Sequence, residues 1–361
     1  MTARGDTFAG GRPLRLRRGL RTDRVDRSVT GRRSRPARGA AVVLLGVLAL
    51  APAVAAAPLK MEVGIDQKYD DLALYVFDQA TGTVAKKADF ITEPYATLSY
   101  RRAAPLPTTV FLDVTGDFYA RYSIQNYQTY RVGLRQQIAG RTHLALKYTL
   151  IPHRFFGDDV VNATAAITAV TRAEVYRLQT LQLSLDRDLT DHLNAAVSAR
   201  YGVRDARGAF DYRDTTIASA TIDVTYRPAP RWRWVVGGVA EHDRAAGGFN
   251  RFLSTPADPV PDDASHNQGA VFTSAAYRVG RAWWIKGSYT HRDRFYTTGQ
   301  NGDRLHEGRV DHTNSALLGT TFRASDALGF KLSYEAAQRD STQAYARFQE
   351  HIYTIGVNLR F

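Results

Sequence analysis

The sequence predicts an all-β fold, namely a transmembrane antiparallel up-and-down β-barrel of about 14 strands with its N- and C-termini periplasmic. Three observations carry this prediction. Apolar residues recur at every second position from residue 58 onward, the segments between turns are about 11 to 14 residues long, and short and long connections alternate. The predicted organisation is a leader at residues 1–57 followed by a barrel at residues 58–361.

The period-two pattern is clearest in the last segment, where Tyr353, Ile355, Val357, Leu359 and Phe361 alternate with Thr, Gly, Asn and Arg. Because successive side chains of a strand point to opposite faces, one face is apolar and the other polar. The same pattern predicts strands at residues 60–69, 93–103, 109–122, 127–139, 142–153, 174–187, 192–204, 214–227, 232–244, 267–279, 282–295, 311–323, 328–340 and 350–361.

The connections between these segments differ in length. Short turns are predicted at 104–108, 140–141, 188–191, 228–231, 280–281 and 324–327. Longer polar loops are predicted near 70–92, 154–173, 205–213, 245–266, 296–310 and 341–349, with one short exception at 123–126. Short periplasmic turns and long outer loops are typical of outer-membrane barrels.

A soluble β-sandwich or soluble barrel is the alternative, since alternation alone does not tell which face meets the solvent. Soluble strands are usually about five or six residues long, too short to cross a bilayer. Aromatic residues also cluster at both ends of the predicted strands, as at the two water–lipid interfaces. These are Tyr226, Trp232, Tyr277, Trp283, Phe330 and Phe361 at one end, and Tyr130, Tyr148, Tyr201, Tyr289, Tyr334 and Tyr353 at the other.

Residues 1–57 have the parts of a secretory signal peptide. An apolar run at 40–50 follows Arg32, Arg33, Arg35 and Arg38, and a small-residue stretch predicts cleavage near Ala55–Ala57. The run is shorter than the roughly 20 residues of a spanning helix, so an uncleaved inner-membrane anchor is the weaker alternative. Residues 1–31 exceed an ordinary signal start, and a misassigned translation start explains them.

Charge and cysteine content exclude some function classes. Residues 1–57 hold 12 Arg and 3 Asp, so +9 of the net charge of +13 lies in the leader. The remaining chain is nearly balanced, which removes the case for a nucleic-acid partner. The chain contains no cysteine, so neither a disulfide framework nor a thiolate metal site is available.

Basic residues recur on the polar face, which the barrel turns toward its lumen. Moving one of them to the lipid side at mid-depth costs about 2–4 kcal/mol. We expect a basic vestibule that attracts anions at the periplasmic rim, formed by Arg101, Arg227, Arg233, Arg278, Arg323, Lys331 and Arg360. Further basic residues are predicted at mid-lumen: Arg131, Arg135, Lys147, Arg200 and Lys286.

The competing interpretation of these residues is ordinary strand-end charge, neutralised by carboxylates or by lipid phosphates. The candidate carboxylates are Asp113, Asp117, Asp186, Asp223 and Glu335. The loop at 245–266, with Asp258, Asp262 and Asp263, either folds inward as a constriction or lies outside. A surface position is the expected one for such a polar, proline-containing loop.

The sequence gives little indication of catalysis. None of the nine histidines occurs in a metal-binding spacing, and nucleophile-elbow and phosphate-binding glycine motifs are absent. His242 with Glu241, and His291 with Asp293, are the candidate acid–base pairs at outer strand ends. Adjacent residues point to opposite faces, so Glu241 and His242 make a poor pair. We therefore expect no enzyme activity, no catalytic residues, no metal site and no cofactor.

Two resemblances extend this picture. The segment Tyr353 to Phe361 resembles the C-terminal signal read by the barrel assembly machinery. Residues 63–71, 89–92 and 98–102 resemble the porins associated with exopolysaccharide loci, which have a Tyr-x-Asn opening, a Phe-Ile-Thr segment and an aromatic Ser-Tyr strand. Asp71 stands where that family has Asn. Residues 289–294 resemble outer strand ends of the same family, and the resemblance implies an integral outer-membrane channel.

The sequence thus favours a porin-like channel of the cell outer membrane, with export of an anionic surface polysaccharide as its most specific form. A structural or adhesive barrel with an occluded lumen is the second hypothesis, and a barrel hydrolase is the third. The expected partners are outer-membrane lipid, lipopolysaccharide, the barrel assembly machinery, and polysaccharide or small anionic solutes.

Overall fold

The computed structural model describes residues 59–78, 83–103, 106–155, 175–206, 208–249 and 259–361. The predicted leader, residues 1–57, is not among these residues. The described strands are β1 (Leu59–Asp78), β2 (Thr83–Arg102), β3 (Thr108–Tyr119), β4 (Tyr127–Ala139), β5 (Thr142–Phe155), β6 (Val175–Asp188), β7 (Leu193–Ala206), β8 (Thr215–Tyr226), β9 (Trp232–Ala245), β10 (Gly248–Phe249), β11 (Pro261–Asp262), β12 (His266–Val279), β13 (Trp283–Tyr296), β14 (Val310–Arg323), β15 (Leu328–Ser341) and β16 (Phe348–Arg360).

Fourteen of these strands form a closed antiparallel barrel, and β10 and β11 form a separate two-stranded ribbon. Barrel strands that follow one another in the chain pair with each other. The ribbon strands β10 and β11 lie between β9 and β12 in the sequence, and β9 pairs directly with β12 in the barrel. The barrel closes where β1 pairs with β16. Beside this seam, Met61 and Phe361 exchange backbone hydrogen bonds of 3.2 and 2.9 Å. The predicted fold class is confirmed.

The two ends of the barrel differ in their connections. The short-turn end carries the connections 103–107, 140–141, 189–192, 227–231, 280–282 and 324–327. Gly140 and Gly280 adopt φ of 44° and 67° there, a conformation that favours glycine in tight turns. Leu59 and Phe361 lie at this end. The long-loop end carries the connections 79–82, 120–126, 156–174, 207–214, 246–265, 297–309 and 342–347.

The first hairpin is longer than the sequence predicts. The predicted strands 60–69 and 93–103 are parts of strands of 20 residues each, and pairing continues beyond a register shift between Asp70 and Leu74. The prediction was wrong at this point because residues 72–77 are a continuous apolar run without period-two alternation. Such a run does not distinguish a strand from other apolar segments.

Large apolar side chains cover the outer face of the barrel. Leu183 is 50% exposed, Ile222 and Leu318 are 63% exposed, and Ile355 is 65% exposed. Aromatic pairs flank this band, including Trp232 with Tyr277 (ring centroids 4.5 Å apart). Such a contiguous apolar surface requires a hydrocarbon solvent. The chain is therefore a β-barrel of the outer-membrane type. No described helix has the length and hydropathy to cross a bilayer.

The inner face carries the polar residues of each strand, together with a few aromatic rings that lie across glycines. A Cβ atom added to Gly64 would collide with the Tyr95 ring, and one added to Gly133 would collide with the Phe111 ring. Each ring therefore lies against the backbone of its neighbouring strand. This arrangement flattens the rings on the wall and keeps them from projecting across the lumen.

Replacing Leu183 with Arg tests which face meets lipid. The guanidinium would lie near the middle of β6 on the outer face, and we expect the free energy of unfolding in lipid vesicles to fall by about 2–4 kcal/mol. Ser184→Arg is the matched control, because its side chain faces the lumen, and we expect a change within about 0.5 kcal/mol. Denaturant unfolding measures both, and equal losses would contradict the assignment of faces.

Candidate functional site in the lumen

The rim residues expected from the sequence lie on the inner face near the short-turn end. Arg233, for example, alternates with Trp232 and Trp234, which are exposed on the outer face. Arg101, Arg233, Arg278, Arg323 and Arg360 occupy one of the two terminal positions of their strands. Arg227 follows directly after β8, and Lys331 is the fourth residue of β15.

The five mid-lumen residues expected from the sequence also lie on the inner face. On β4, for example, Arg131 alternates with Tyr130 and Val132, which are exposed on the outer face. Arg135, Lys147, Arg200 and Lys286 hold equivalent positions on β4, β5, β7 and β13. The two basic sets overlap in depth, because Lys286 is the fourth residue of β13 and Lys331 is the fourth residue of β15.

Carboxylates neutralise part of this basic wall. Arg360 binds Glu62 (Nε to Oε2, 2.8 Å), and Arg135 binds Asp186 (Nη2 to Oδ2, 2.8 Å). Ion pairs also join Lys331 to Asp66 and Arg200 to Glu241. Glu62, Asp66 and Glu241 were not among the expected counter-charges, because no spacing in the sequence links them to their partners. The expected vestibule is thus less basic than its residue list implies.

Other basic residues make no ion pair within the described part of the chain. Arg278 instead packs over the Trp284 ring, 5.6 Å from its centroid. Arg131 is the direct cross-strand neighbour of Asp113 but forms no salt bridge with it. Among the described residues, the expected basic side chains without a carboxylate within 4.0 Å are Arg101, Arg131, Lys147, Arg227, Arg233, Arg278, Lys286 and Arg323. Most of these residues lie in the short-turn half of the barrel.

The predicted assembly signal lies on the outer face of β16. Tyr353, Ile355 and Phe361 are exposed there, whereas Val357 and Leu359 are partly covered by their pairing with β1. This placement leaves the alternate apolar residues in one row beside the barrel seam. Their recognition by the assembly machinery stays a prediction.

Three connections at the long-loop end pack together around buried charges, which we call the mouth cluster. Its members are Arg213, Asp262, Asp303, His306, Arg309 and Asp311, all nearly or completely buried. They belong to the connections 207–214, 246–265 and 297–309 and to the adjoining strand ends. Buried charges of this kind persist only when they are paired and hydrogen-bonded.

The mouth cluster is held by charge-assisted hydrogen bonds. Arg213 Nη2 donates to Asp262 Oδ2 (2.8 Å), and Arg309 Nη2 donates to Asp311 Oδ2 (2.8 Å). His306 Nδ1 lies 3.0 Å from Asp303 Oδ2. The Tyr296 ring stacks on His306, with centroids 5.0 Å apart. These contacts join loops that are distant in sequence into one packed unit.

This packing covers the inner wall at the long-loop end. On one side, the inner-face residues Asp243, His266 and Arg339 are buried. On the other side, the Asp89 carboxylate accepts hydrogen bonds from the backbone N–H groups of Arg121 and Tyr122, both 2.9 Å. The loops therefore narrow the lumen at this end.

The surface position expected for the loop at 245–266 is wrong for its second half. Asp262 and Asp263 are both buried, because the loop packs against the connections 207–214 and 297–309. Asp258 lies outside the described residues. The mouth cluster could not be predicted from the sequence. A loop with exposed charges and a loop with buried, paired charges have the same amino-acid composition.

Asp303 has the clearest electrostatic perturbation in the loops. Burial of the Asp303 carboxyl opposes its ionisation. The hydrogen bond and charge of His306 favour ionisation, as do the backbone N–H groups of Asp263 and Leu305, and together they outweigh the effect of burial. The pKa of the Asp303 carboxyl therefore lies below its ordinary value. The ionised form of Asp303 is thus part of the folded loop structure.

The candidate acid–base histidines lie on the outer face. His291 Nε2 is 3.1 Å from Asp293 Oδ1, and His312 Nδ1 is 2.6 Å from the same oxygen. His242 is hydrogen-bonded to Asn267 (2.7 Å), while Glu241 faces the lumen. The hydrogen-bonding partners of these histidines are carboxylate and amide groups, which do not supply the hydroxyl or thiol nucleophile of a hydrolase.

No protein-family model matches this chain, and no curated protein matches its sequence. Among solved structures, a TodX monoaromatic hydrocarbon channel mutant is 10% identical, with 85% of this chain and 91% of that chain covered and a TM-score of 0.46. OmpT of Vibrio cholerae is 8% identical, with 84% and 97% covered and a TM-score of 0.46. A bacterial polysaccharide outer membrane secretin is 9% identical, with 83% and 97% covered and a TM-score of 0.42. Identities of this size concern the fold alone.

The lowered pKa of Asp303 predicts a loss of loop stability in acid. A carboxyl whose folded-state pKa is depressed stabilises the fold above its unfolded pKa, and this contribution disappears as the pH falls through the folded value. We expect amide protection at residues 303–306, corrected for intrinsic exchange, to decrease below about pH 4. Asp303→Asn should remove this pH dependence. Asp326→Asn, in a short turn, is the control and should retain it.

Proposed function

We propose that this protein is an outer-membrane channel whose lumen favours anionic solutes. The observation that carries the proposal is the set of uncompensated basic side chains on the inner wall of a closed barrel whose outer face is apolar. Basic side chains on a wall of low dielectric focus a positive potential into the lumen and raise the local anion concentration. None of these residues forms a salt bridge with a described carboxylate, although Asp113 lies near Lys147 and Asp223 lies near Arg233. In this proposal a solute anion supplies the remaining counter-charge.

Barrel size supports an aqueous lumen. Barrels of about eight strands are filled by side chains, and those of about 16 to 18 strands enclose a water channel. The 14 strands of this barrel place it nearer the second class. Aromatic rings on the inner wall lie flat across glycines such as Gly64 and Gly133, which preserves the width of the lumen at their level.

Export of an anionic surface polysaccharide is the most specific form of this proposal. The resemblance of residues 63–71, 89–92 and 98–102 to the porins of exopolysaccharide loci supports it. The basic side chains at the short-turn end, where a periplasmic substrate would enter, support it as well. In this proposal the short-turn end faces the periplasm, lipopolysaccharide surrounds the long-loop end, and the barrel assembly machinery inserts the chain.

A barrel with an occluded lumen is the second candidate, and the mouth cluster favours it. Loops whose charged residues are completely buried pack as a folded unit, unlike a loose surface loop. In that case the protein would serve a structural or adhesive role. Ion conductance separates the two candidates, because a channel conducts in planar bilayers and an occluded barrel does not.

Reversing the charge of three uncompensated rim residues tests anion preference. In the combined variant Arg227→Glu, Arg233→Glu and Arg323→Glu, we expect the anion/cation permeability ratio to fall on the order of tenfold. Reversal potentials across planar bilayers under a salt gradient measure this ratio. Arg141→Glu is the control, since Arg141 lies in a turn and pairs with Asp191 (2.8 Å). An unchanged ratio in the triple variant would rule out the basic vestibule.

Opening the mouth cluster tests whether the loops restrict flow. Asp262→Ala removes the carboxylate that binds Arg213, and breaking a buried pair costs about 3–5 kcal/mol. We expect the loops to loosen and single-channel conductance to rise relative to wild type. Asp191→Ala, which removes an exposed carboxylate in a short turn, should leave conductance unchanged. Absence of current in the wild type in either orientation would remove the channel proposal.

A further inference from the structure

A group of potential metal ligands lies on the inner wall where β9 meets β12. Glu241, Asp243 and His266 each offer an oxygen or nitrogen atom, and these atoms all lie within 4.8 Å of one another. Asp243 and His266 are direct cross-strand neighbours, and Glu241 lies two residues earlier on the same face of β9. Two adjacent strands therefore present three ligands to one point.

Asp243 gives the first indication that a cation belongs there. Its side chain is buried, with only 2% of the residue exposed. Its Oδ1 atom is fully buried and accepts no hydrogen bond from the described residues. Arg204, Arg294 and Arg200 supply positive charge nearby, but a buried carboxylate oxygen without a donor is still costly, because its lost hydrogen bonds to water are not replaced. A bound cation would compensate it.

His266 gives an independent indication. Its Nδ1 atom lies 2.9 Å from the carbonyl oxygen of Ala264, which only accepts hydrogen bonds, so Nδ1 carries the proton. The other ring nitrogen, Nε2, is directed to Asp243 Oδ2 at 3.6 Å. A histidine that donates one ring N–H to a backbone carbonyl and presents the other nitrogen is typical of metal sites, where the carbonyl fixes the ligand orientation.

We propose that Asp243, His266 and Glu241 bind a divalent transition-metal ion of the Zn²⁺ class. An imidazole nitrogen with carboxylate oxygens is a ligand set that Zn²⁺ accepts, whereas Mg²⁺ and Ca²⁺ prefer oxygen ligands alone. Three protein ligands leave a coordination position for water. The proposal does not depend on conduction through the barrel.

Neighbouring charges set the strength of this site. Arg200 pairs with Glu241 Oε2, and Gln268 donates to Glu241 Oε1 (3.2 Å). Glu241 is therefore shared, and Asp243 and His266 are the primary ligands. Because Arg204, Arg294 and Arg200 add positive charge beside the metal, they weaken metal binding through Coulomb repulsion.

The position of the site links metal binding to the loop at the mouth. Ala264 and Ser265 form the last part of the connection 246–265, and Ser265 Oγ accepts a hydrogen bond from the Ala245 backbone (2.9 Å). The metal would hold His266, which follows directly, against β9. Metal binding would therefore fasten the end of this loop to the barrel wall.

Isothermal titration calorimetry of the purified protein in detergent, with Zn²⁺ alone as the titrant, tests the proposal. We expect His266→Ala and Asp243→Asn each to weaken one class of site by at least about tenfold. His192→Ala is the matched control, because it removes a histidine in a short turn, at the opposite end of the barrel from the proposed ligands. It should leave this class of site intact.

A measurement on the wild type does not depend on how well the variants fold. Co²⁺ added in place of Zn²⁺ should give visible ligand-field bands, which equimolar Zn²⁺ should abolish. Absence of these bands in the wild type would overturn the proposal. Equal Zn²⁺ stoichiometry and affinity in the wild type and a folded His266→Ala variant would overturn it as well.

Discussion

The pairing of β1 with β16 is the constraint on which the rest of the structure depends. In hydrocarbon, no water is available to hydrogen-bond free backbone N–H and C=O groups, so a sheet must have no open edge. The seam pairs residues nearly 300 positions apart in the chain, from Glu62 with Arg360 to Asp70 with Ile352. Side chains reinforce it on the inner face, where Glu62 binds both Asn358 and Arg360 at 2.8 Å. Closure therefore joins the two ends of the described barrel by backbone and by charge.

Closure also determines where charge is allowed. Because every barrel strand meets lipid on one face, each Arg or Lys at mid-depth must lie on the other face. Some of these basic residues form salt bridges with carboxylates on the same face, and others have no carboxylate within 4.0 Å among the described residues. Lys331 reaches Asp66 across β16, whereas Lys286 has no carboxylate partner within the described residues. Strand alternation thus places the charged side chains on the inner wall, and pairing between distant strands determines which of them are neutralised.

The sequence predicted the barrel well because alternation is a local property that lipid enforces on every strand. The faces of β16 and β6 followed directly from rows such as Leu181, Leu183 and Leu185. The long-range pairs were not predictable, since Arg213 meets Asp262 across 49 positions and Lys331 meets Asp66 across 265. Nothing in the local composition distinguishes Asp262, which is buried, from an aspartate on a solvated loop. The prediction of a loop near residues 70–92 was wrong at residues 72–77 for a different reason. This continuous apolar run lacks the alternation by which the other strands were recognised.

The inner wall consequently has two environments, although side chains alternate between the two faces in the same way along the whole length of each strand. Toward the short-turn end, polar side chains such as Arg233 and Arg323 are exposed and water-accessible. Toward the long-loop end, the loops exclude water, and inner-face residues such as Asp243 and Asp311 must find partners within the protein. Asp311 accepts hydrogen bonds from Arg309 and Ser341, whereas one oxygen of Asp243 has no hydrogen-bond donor among the described residues. At the border between these two environments, a buried carboxylate oxygen that lacks a hydrogen-bond donor is therefore the expected place for a cation.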